Sequence, residues 1–299
     1  MKRPTELGKN YQRYCAFLSM DQLDSHCDDE LAIAPLAALG INVETVSWRA
    51  AVDWDRFDWV IVRSTWDYQA DVRGFIETLK RIDASTARLA NPLPVIRDNI
   101  DKRYLARLAD KGVPIVPTRF GDTLDTATLQ ALLSQRPGRK HVIKPVISAG
   151  SYNTFIVVDS MAAADLAPIA EAHSRSPWML QPFVDSVVTT GEYSVFVFAG
   201  ELSHCILKTP TSGDFRVQEE FGGNIRAIEP PPGLTETAFD VYRALATNLL
   251  FARIDLVEIA GEFAVMEVEL VEPSLYLRTA NAAARNFASA CRTWFDGAD

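Results

Sequence analysis

Three acidic residues near the end of the chain form its strongest candidate site for chemistry. Asp255 lies on one predicted strand, and Glu267 and Glu269 lie on the next. Side chains alternate along a strand, so Glu267 and Glu269 face the same side. A three-residue turn centred on Gly261 places Asp255 opposite Glu267. Three adjacent carboxylates repel one another unless a cation neutralises them, and hard oxygen ligands favour Mg²⁺. The pattern predicts a magnesium site, with an exposed acidic sheet face as the alternative.

Two lysines are candidates for binding phosphate. Lys144 ends an apolar strand, where burying an ammonium is unfavourable unless it meets an anion. Four residues later, the small residues Ser148-Ala149-Gly150-Ser151 form a loop whose backbone N–H groups could close over phosphates. Lys102 falls in the first turn of a predicted helix, where a cation opposes the helix dipole. An ordinary strand-end lysine and a surface lysine are the respective alternatives.

Composition and missing signatures exclude several classes of protein. There is no Walker loop, no Rossmann glycine pattern, no zinc-protease H-E-x-x-H and no serine-hydrolase G-x-S-x-G. The net charge of −9 argues against non-specific binding to nucleic acid, although one pocket can still be positive. No apolar run is long enough to predict a membrane span.

The N-terminal segment and the cysteines indicate where in the cell the protein is located rather than what chemistry it performs. The polar segment Met1 to Asn10 predicts a short disordered arm and not a secretory signal. The cysteines have no metal-ligand spacing, even at His26-Cys27 and His204-Cys205, which predicts reduced thiols in a cytoplasmic protein.

The elements that must position these residues change in character along the chain. In the first hundred residues, predicted strands at 14–18, 43–46 and 59–62 alternate with helices over 28–39 and 72–82, which indicates an open parallel sheet. Such sheets bind ligands beyond the carboxyl ends of their strands. The polar and aromatic segment Arg63 to Tyr68 follows one of these ends and is a candidate binding loop.

The rest of the chain contains a smaller central unit and an antiparallel final third. A helix over 99–111 leads into the central unit, and a hairpin at Gly200-Glu201 opens the final third. A helix over 280–294 closes the chain.

Taken in order, these motifs resemble the ATP-grasp superfamily, most closely its glutathione synthetase-like ligases. The resemblance is carried, from Asn91 to Ser274, by Asn91-Pro92, Asn99-x-x-Lys102, Val142-Ile-Lys-Pro145, Ser148-Ala-Gly150, Leu180-Gln-Pro-Phe-Val184, Gly191-Glu-Tyr-Ser194, Gly213-Asp-Phe-Arg216, Phe221-Gly-Gly223, Ile254-Asp255, Glu267-Val-Glu269 and Glu272-Pro-Ser274. It implies an α/β (α+β) fold with an N-terminal pre-ATP-grasp substrate domain built on a parallel sheet (1–98). A central lid subdomain (99–185) and a C-terminal antiparallel-sheet subdomain with the metal site (186–299) would follow.

The resemblance also implies a role for each motif. Arg216 and Lys208 are the expected catalytic residues, and Asp255, Glu267 and Glu269 the expected ligands of Mg²⁺. The residues expected to bind ATP are Lys102, Lys144, Ser148, Gly150, Ser151, Gln181, Pro182, Phe183, Val184 and Glu192. The chain departs from its relatives at Gln181, often Glu, and at Glu269, commonly Asn. Its lid loop also has a single glycine where relatives often have several.

A ligase that activates a carboxylate as an acyl phosphate for capture by nitrogen is the implied enzyme. Its expected substrate is a small amino-acid-like carboxylate, bound by Arg63, Ser64, Thr65, Trp66, Tyr68, Ser274 and Tyr276. Two segments, Ile61 to Tyr68 and Glu267 to Leu277, resemble a compact ligase group that includes an enzyme closing an antibiotic ring within O-ureido-D-serine, and the same ring closure is the favoured expectation here. The alternatives are an intermolecular carboxylate–amine ligase and an ATP-binding regulatory protein without turnover. Neither nucleic acid nor membrane is an expected partner, and a homodimer is the candidate assembly.

Overall fold

The structure is a computed structural model and describes residues 12–23 and 27–297. The predicted N-terminal arm, 1–10, and His26 lie outside these ranges. The strands are β1 Arg13–Ser19, β2 Ile41–Ser47, β3 Trp59–Ser64, β4 Arg88–Ala90, β5 Arg119–Gly121, β6 His141–Pro145, β7 Phe155–Val157, β8 Trp178–Pro182, β9 Glu192–Phe198, β10 Glu201–Thr209, β11 Asn224–Ala227, β12 Phe251–Ile259 and β13 Glu262–Glu269. The α-helices are α1 Ile33–Ala38, α2 Val72–Asp83, α3 Leu93–Asn99, α4 Tyr104–Asp110, α5 Thr126–Ser134, α6 Ala163–Ala172, α7 Ser186–Thr189, α8 Leu234–Leu245 and α9 Ala283–Asp296.

The chain forms two compact units. One unit contains the residues up to Leu93 together with those from Glu272 onward, and the other is Pro94–Val271. The predicted third segment, 186–299, is therefore divided, because α9 packs within the first unit. The predicted boundary between the central and C-terminal subdomains, at 185, stays a prediction.

A parallel sheet is the centre of the first unit. Its strand order is β2-β1-β3-β4, and every neighbouring pair is parallel, as the strand–helix alternation predicts. The helix α9 covers it through aromatic contacts: Phe287 lies edge-on to Phe17 at 6.4 Å, and Phe295 stacks on Trp59 at 3.8 Å. Strand β3 ends at Ser64, which places Arg63 to Tyr68 at the carboxyl edge of the sheet.

The second unit contains two antiparallel sheets. The smaller has the order β5-β8-β6-β7, and its core includes buried Leu129 of α5 and Leu166 of α6. The larger has the order β11-β10-β9-β12-β13, and its core includes buried Leu105 of α4 and Val241 of α8. The expected fold class, one parallel sheet followed by antiparallel sheets with flanking helices, is thus confirmed.

Two predicted helices are broken in the structure. The segment 28–39 is a 3₁₀ turn at Asp29–Ala32 followed by the short α1. The segment 99–111 contains the end of α3 and all of α4, so Lys102 lies in the turn before α4 and not in a first helical turn. There its backbone N–H donates to the carbonyl of Val146, 2.9 Å away. Within the part of the chain that the structure describes, no helix is both long and apolar enough to cross a bilayer.

Candidate active site

The β12–β13 hairpin carries the three acidic residues. Asp255 pairs with Glu267, as predicted, but the turn is shorter than predicted, because Ile259 pairs directly with Glu262. The two turn residues, Ala260 and Gly261, have positive φ angles of 53° and 87°, typical of tight hairpin turns. A β-bulge between Asp255 and Leu256 then shifts the register by one residue. The bulge, rather than the turn, brings the two carboxylates opposite each other.

Two side chains from α3 and α4 fix the strand that carries Glu267 and Glu269. The Asn99 amide donates to the Val268 carbonyl and accepts from the Leu270 N–H, both at 2.8 Å. The Tyr104 hydroxyl accepts from the Val268 N–H at 2.7 Å. These bonds satisfy backbone groups on β13, the edge strand of its sheet, and hold the residue between the two glutamates.

Lys208 joins two of the predicted site residues. Its ammonium lies 2.5 Å from a Glu192 carboxylate oxygen and 3.3 Å from Asp255 Oδ1, and the lysine is 4% exposed. Asp255 also accepts from Ser194 Oγ at 2.5 Å. The predicted ribose-binding residue, one predicted catalytic residue and one predicted metal ligand are therefore in contact.

Glu267 and Glu269 each meet a different cation. The Lys102 ammonium lies 3.1 Å from Glu267 Oε1 and also donates to the Ser148 carbonyl at 2.8 Å. Lys144 interacts electrostatically with Glu267. Glu269 is paired with Arg253, which also donates to Asp255. The two predicted phosphate-binding lysines and the predicted lid loop are thus grouped around Glu267.

Burial and charge shift the acidity of these groups in different directions. Burial alone would raise the pKa of Asp255, but Arg253 and Lys208 outweigh it and hold the pKa at about 2. Burial raises the pKa of Glu269 to about 7 despite the opposing charge of Arg253. Burial opposes ionisation of Glu267 too, yet Lys102 and Lys144 lower its pKa. For Lys144, burial lowers the pKa, and the charge of Lys102 adds to that effect.

The donor chemistry of the three carboxylates fits Mg²⁺, which prefers oxygen ligands. Their side chains, however, turn towards Lys208, Lys102 and Arg253. Across residues 12–23 and 27–297, no three His, Cys, Asp or Glu side chains converge as the ligands of one metal do. The three carboxylates are therefore chemically suitable ligands for Mg²⁺. For Mg²⁺ to bind, the side chains of Lys208, Lys102 and Arg253 would have to move away from them.

The predicted adenine hinge lies at the end of β8. Gln181 is 2% exposed, and its amide donates to Thr118 Oγ1 at 3.0 Å. The following residues bring a second predicted motif close: Phe183 lies 6.2 Å from Phe215, next to Arg216, and Val184 packs on the cluster that contains Val217. Pro182 ends the strand beside these contacts.

Arg216 is oriented by its own loop. The Asp214 carboxylate accepts from the side chain of Arg216, from Nε at 3.0 and 3.2 Å and from Nη2 at 2.7 Å, and also from its backbone N–H at 3.0 Å. The guanidinium lies 3.7 Å above the Phe221 ring. The loop after β6 also has an unusual backbone, with positive φ at Gly150 and Ser151 (58° each). Tyr152, at its tip, is 63% exposed.

The predicted substrate residues lie in the first unit, and two of its loops meet there. Arg63 is 2% exposed, pairs with Asp29 at 2.7 Å and donates to the Pro273 carbonyl at 3.1 Å. The Trp66 indole N–H donates to the Glu272 carbonyl at 2.9 Å. These bonds join the loop after β3 to the segment that carries Ser274 and Tyr276.

The remaining residues of these loops have different surroundings. Ser64 donates to Ser19 Oγ at 3.1 Å, and Tyr68 is buried and stacked on Phe75 at 4.8 Å. Thr65 is fully buried, and its hydroxyl has no hydrogen-bond partner among the described residues. Tyr276 adopts a positive φ of 46°.

Comparison with known proteins identifies the family. Residues 15–91 match the N-terminal domain of D-cycloserine synthetase DcsG, and residues 117–278 match the ATP-grasp domain of prokaryotic glutathione synthetase. The cycloserine biosynthesis protein DcsG of Streptomyces lavendulae is 34% identical over 271 residues, covering 84% of this chain and 88% of that protein. The chain belongs to the D-cycloserine synthetase family of ATP-grasp ligases. As in that family, the enzyme is an ATP-dependent ligase.

Solved structures agree with membership of the D-cycloserine synthetase family. The crystal structure of D-cycloserine synthetase DcsG superimposes with a TM-score of 0.82 at 30% identity, covering 94% of this chain and 99% of that one. D-alanine–D-alanine ligase from Bacillus anthracis has a TM-score of 0.64 at 16% identity, covering 95% of this chain and 96% of that one. This second likeness concerns the fold alone. The resemblance to ATP-grasp ligases is confirmed.

Sequence reasoning missed Arg253, Ser194 and Tyr104. Arg253 precedes Asp255 by two residues on one strand, so alternation alone places both side chains on the same face. That signal was available. The contact of Ser194 with Asp255 depends on the pairing of β9 with β12, and the contact of Tyr104 depends on helix packing. Neither has a local signature in the sequence.

Proposed function

We propose that this enzyme is a D-cycloserine synthetase that closes the ring of O-ureido-D-serine. The observation that carries the proposal is the match of residues 15–91 to the N-terminal domain of D-cycloserine synthetase, because this segment includes the candidate binding loop Arg63 to Tyr68. The 34% identity to the cycloserine biosynthesis protein over 84% of the chain supports the same conclusion.

The proposed reaction begins with transfer of the ATP γ-phosphoryl group to the substrate carboxylate, which releases ADP. The substrate nitrogen that is bonded to oxygen then attacks the acyl carbon, and phosphate leaves. The carbamoyl group on that nitrogen must also depart. One water molecule adds to its carbonyl, the bond to the ring nitrogen breaks as that nitrogen takes a proton, and the released carbamic acid decomposes to carbon dioxide and ammonia. Because both reacting groups belong to one molecule, the substrate itself supplies the effective concentration.

The residues of the second unit bind ATP and Mg²⁺ in this proposal. Lys102 and Lys144 neutralise phosphate charge, the hinge Gln181 to Val184 holds the adenine, and Glu192 holds the ribose. The loop Ser148 to Ser151 covers the phosphates. Asp255, Glu267 and Glu269 would hold Mg²⁺, which supplies charge neutralisation for phosphoryl transfer. The bidentate support that Asp214 gives to Arg216 supports a role at the transferred phosphoryl group, with Lys208 as the second catalytic residue.

The residues of the first unit bind the substrate. Thr65 supports this proposal best, because a buried hydroxyl without a partner is unfavourable unless a ligand satisfies it. Arg63 and Trp66 link the two loops, and Ser64, Tyr68, Ser274 and Tyr276 complete the proposed set. A cytoplasmic location, supported by the free thiols of all four cysteines, and a homodimer remain part of the proposal.

The test is whether one amino compound suffices. ATP, MgCl₂ and O-ureido-D-serine alone should give saturable ADP release and cycloserine, identified by its mass. Arg63→Ala should raise the substrate KM more than the ATP KM, because Arg63 links the two loops proposed to bind the substrate. Release of ADP only after a second amino compound is added would replace ring closure with an intermolecular ligase. Absence of ADP with any carboxylate would favour a regulatory ATP-binding protein.

A further inference from the structure

Arg253 lies among the acidic residues of the candidate metal site. Its side chain is 9% exposed. Its Nη2 lies 2.9 Å from Asp255 Oδ2 and also donates to Glu269 Oε1, and its Nε lies 3.2 Å from both Asp255 oxygens. Arg253 is paired across the hairpin with Glu269 and shares a strand face with Asp255. One planar guanidinium therefore bridges two of the three predicted ligands.

A guanidinium and a metal ion compete for these oxygens. Mg²⁺ binds its oxygen ligands at about 2.0–2.1 Å and demands near-octahedral geometry. Asp255 Oδ2 and Glu269 Oε1 already accept hydrogen bonds from Arg253. Two cations on the same oxygens repel each other strongly at an effective dielectric constant of about 20. Metal binding and the bridging position of Arg253 thus exclude each other, at least at Glu269.

We propose that Arg253 is a resident counter-cation that keeps Asp255 and Glu269 neutralised without metal and sets the affinity of the site for Mg²⁺. The inference rests on the proposed metal site. When metal binds, the guanidinium leaves Glu269 and stays near the strand as a positioning residue. Lys102 and Lys208 remain as partners of Glu267 and Asp255, so the bridging role belongs to Arg253.

A counter-cation at Arg253 and a merely structural residue there predict opposite changes in metal affinity when Arg253 is replaced. Replacing Arg253 with methionine preserves much of the apolar stem but removes the competing charge. The buried carboxylates then repel one another, so the metal-free protein is destabilised and the metal-bound protein is not. By linkage, metal binding becomes tighter. A residue that only supported the fold would weaken metal binding or leave it unchanged.

The experiment measures Mn²⁺ affinity in the full-length protein without nucleotide, from the paramagnetic resonance signal of free Mn²⁺. Arg253→Met should bind Mn²⁺ at least about tenfold more tightly than the wild type. The reason is that the repulsion between the Arg253 guanidinium and the metal ion is larger than the free energy that corresponds to a tenfold change in affinity. Its thermal midpoint should fall without metal and recover in MnCl₂. Arg243→Met, at an exposed arginine on α8, is the matched control and should bind as the wild type does.

A second pair of variants keeps the test informative if Arg253→Met does not fold. Arg253→Lys retains the charge but loses the planar fork, so its Mn²⁺ affinity should lie between wild type and Arg253→Met. In a Glu269→Asn background, the effect of changing Arg253 should shrink, because the bridge has lost one end. Equal or weaker Mn²⁺ binding by the Arg253 variants, with binding by the wild type, would overturn this inference alone. Absence of Mn²⁺ binding in every variant, both without nucleotide and with a non-hydrolysable ATP analogue, would overturn the metal site as well, while ring closure is tested separately by ADP release.

Discussion

At the scale of single residues, the candidate site is a set of exchangeable ion pairs. Lys102 lies between the Glu267 carboxylate and the Ser148 carbonyl, and Lys208 lies between Glu192 and Asp255. A buried carboxylate or ammonium is unfavourable without a partner, so these groups neutralise one another in the absence of ligands. ATP phosphates would attract the lysines and Mg²⁺ the carboxylates. We therefore expect the two ligands to favour each other's binding, because each releases charges that the other needs.

The first prediction concerns Glu267. Glu267→Gln should lower turnover at saturating Mg²⁺ at least about a hundredfold, because a metal contributes several kcal/mol of charge stabilisation to phosphoryl transfer. The fold should persist, since glutamine can still accept a hydrogen bond from Lys102. Glu262→Gln, at the exposed start of β13, is the matched control. Near-native turnover of Glu267→Gln would remove Glu267 from the site.

The second prediction concerns Lys144. Lys144→Ala should weaken ATP binding by about 1.5–3 kcal/mol, the value of a hydrogen bond to a charged group. Titration calorimetry with ATP measures the difference directly. Lys111→Ala, an exposed lysine at the end of α4, should bind ATP with unchanged affinity. If Lys144→Ala binds ATP as tightly as the control does, the lysine does not contact the phosphates.

At the scale of elements, local patterns predicted the strands well and their connections less well. The parallel sheet and the Asp255–Glu267 pair follow from alternation and hairpin chemistry. The turn was one residue shorter than predicted, and the bulge at Asp255 compensated for the error. Bulges depend on how neighbouring strands twist and pack, which a single strand's sequence does not encode. The single helix predicted over 99–111 is wrong for a similar reason, because the backbone N–H of Lys102 donates to the Val146 carbonyl, which is distant in sequence.

The third prediction concerns histidines of the smaller antiparallel sheet and its helices. His173, at the end of α6, is fully buried and lies edge-on to Phe155 at 6.1 Å. Burial lowers the pKa of His173 and of His141 below the ordinary value of 6.5. The folded state therefore binds fewer protons than the unfolded state at mildly acidic pH. Stability is fully present above about pH 6.5 and is lost as pH falls towards the folded pKa.

The measurement is the thermal midpoint between pH 7.5 and 5.5. The midpoint of the wild type should fall on acidification, and the fall should be smaller in His173→Gln. His141→Gln/His173→Gln should be flatter than either single variant, because both residues act with the same sign. Identical pH slopes in the wild type and the double variant would show that these histidines do not control acid stability.

At the scale of the whole molecule, the predicted roles are divided between the two compact units. The residues predicted to bind ATP and Mg²⁺ belong to Pro94–Val271, and those predicted to bind the substrate belong to the unit formed by both ends of the chain. The order of motifs was sufficient to predict the ATP-grasp family, which the comparisons confirm. It did not predict that the residues from Glu272 onward pack with the parallel sheet. That packing depends on aromatic pairs such as Trp59–Phe295, which are far apart in sequence.

The last prediction concerns the route of the oxygen atoms through the whole reaction. If the carboxylate is phosphorylated first, one of its oxygens becomes the bridge between carbon and phosphorus. Attack by nitrogen then breaks the carbon–oxygen bond, so this oxygen leaves with the phosphate. Substrate labelled with ¹⁸O in the carboxylate should therefore give phosphate that carries one ¹⁸O, detected by mass spectrometry or by the isotope shift of its ³¹P resonance.

Unlabelled substrate in ¹⁸O-enriched water is the control and should give unlabelled phosphate from ring closure. A kinase would keep the phosphoryl group on its product and release ADP but no phosphate. A regulatory protein would release neither ADP nor phosphate. Unlabelled phosphate from labelled substrate, formed together with cycloserine, would exclude the acyl phosphate as the intermediate of ring closure even if ADP is formed.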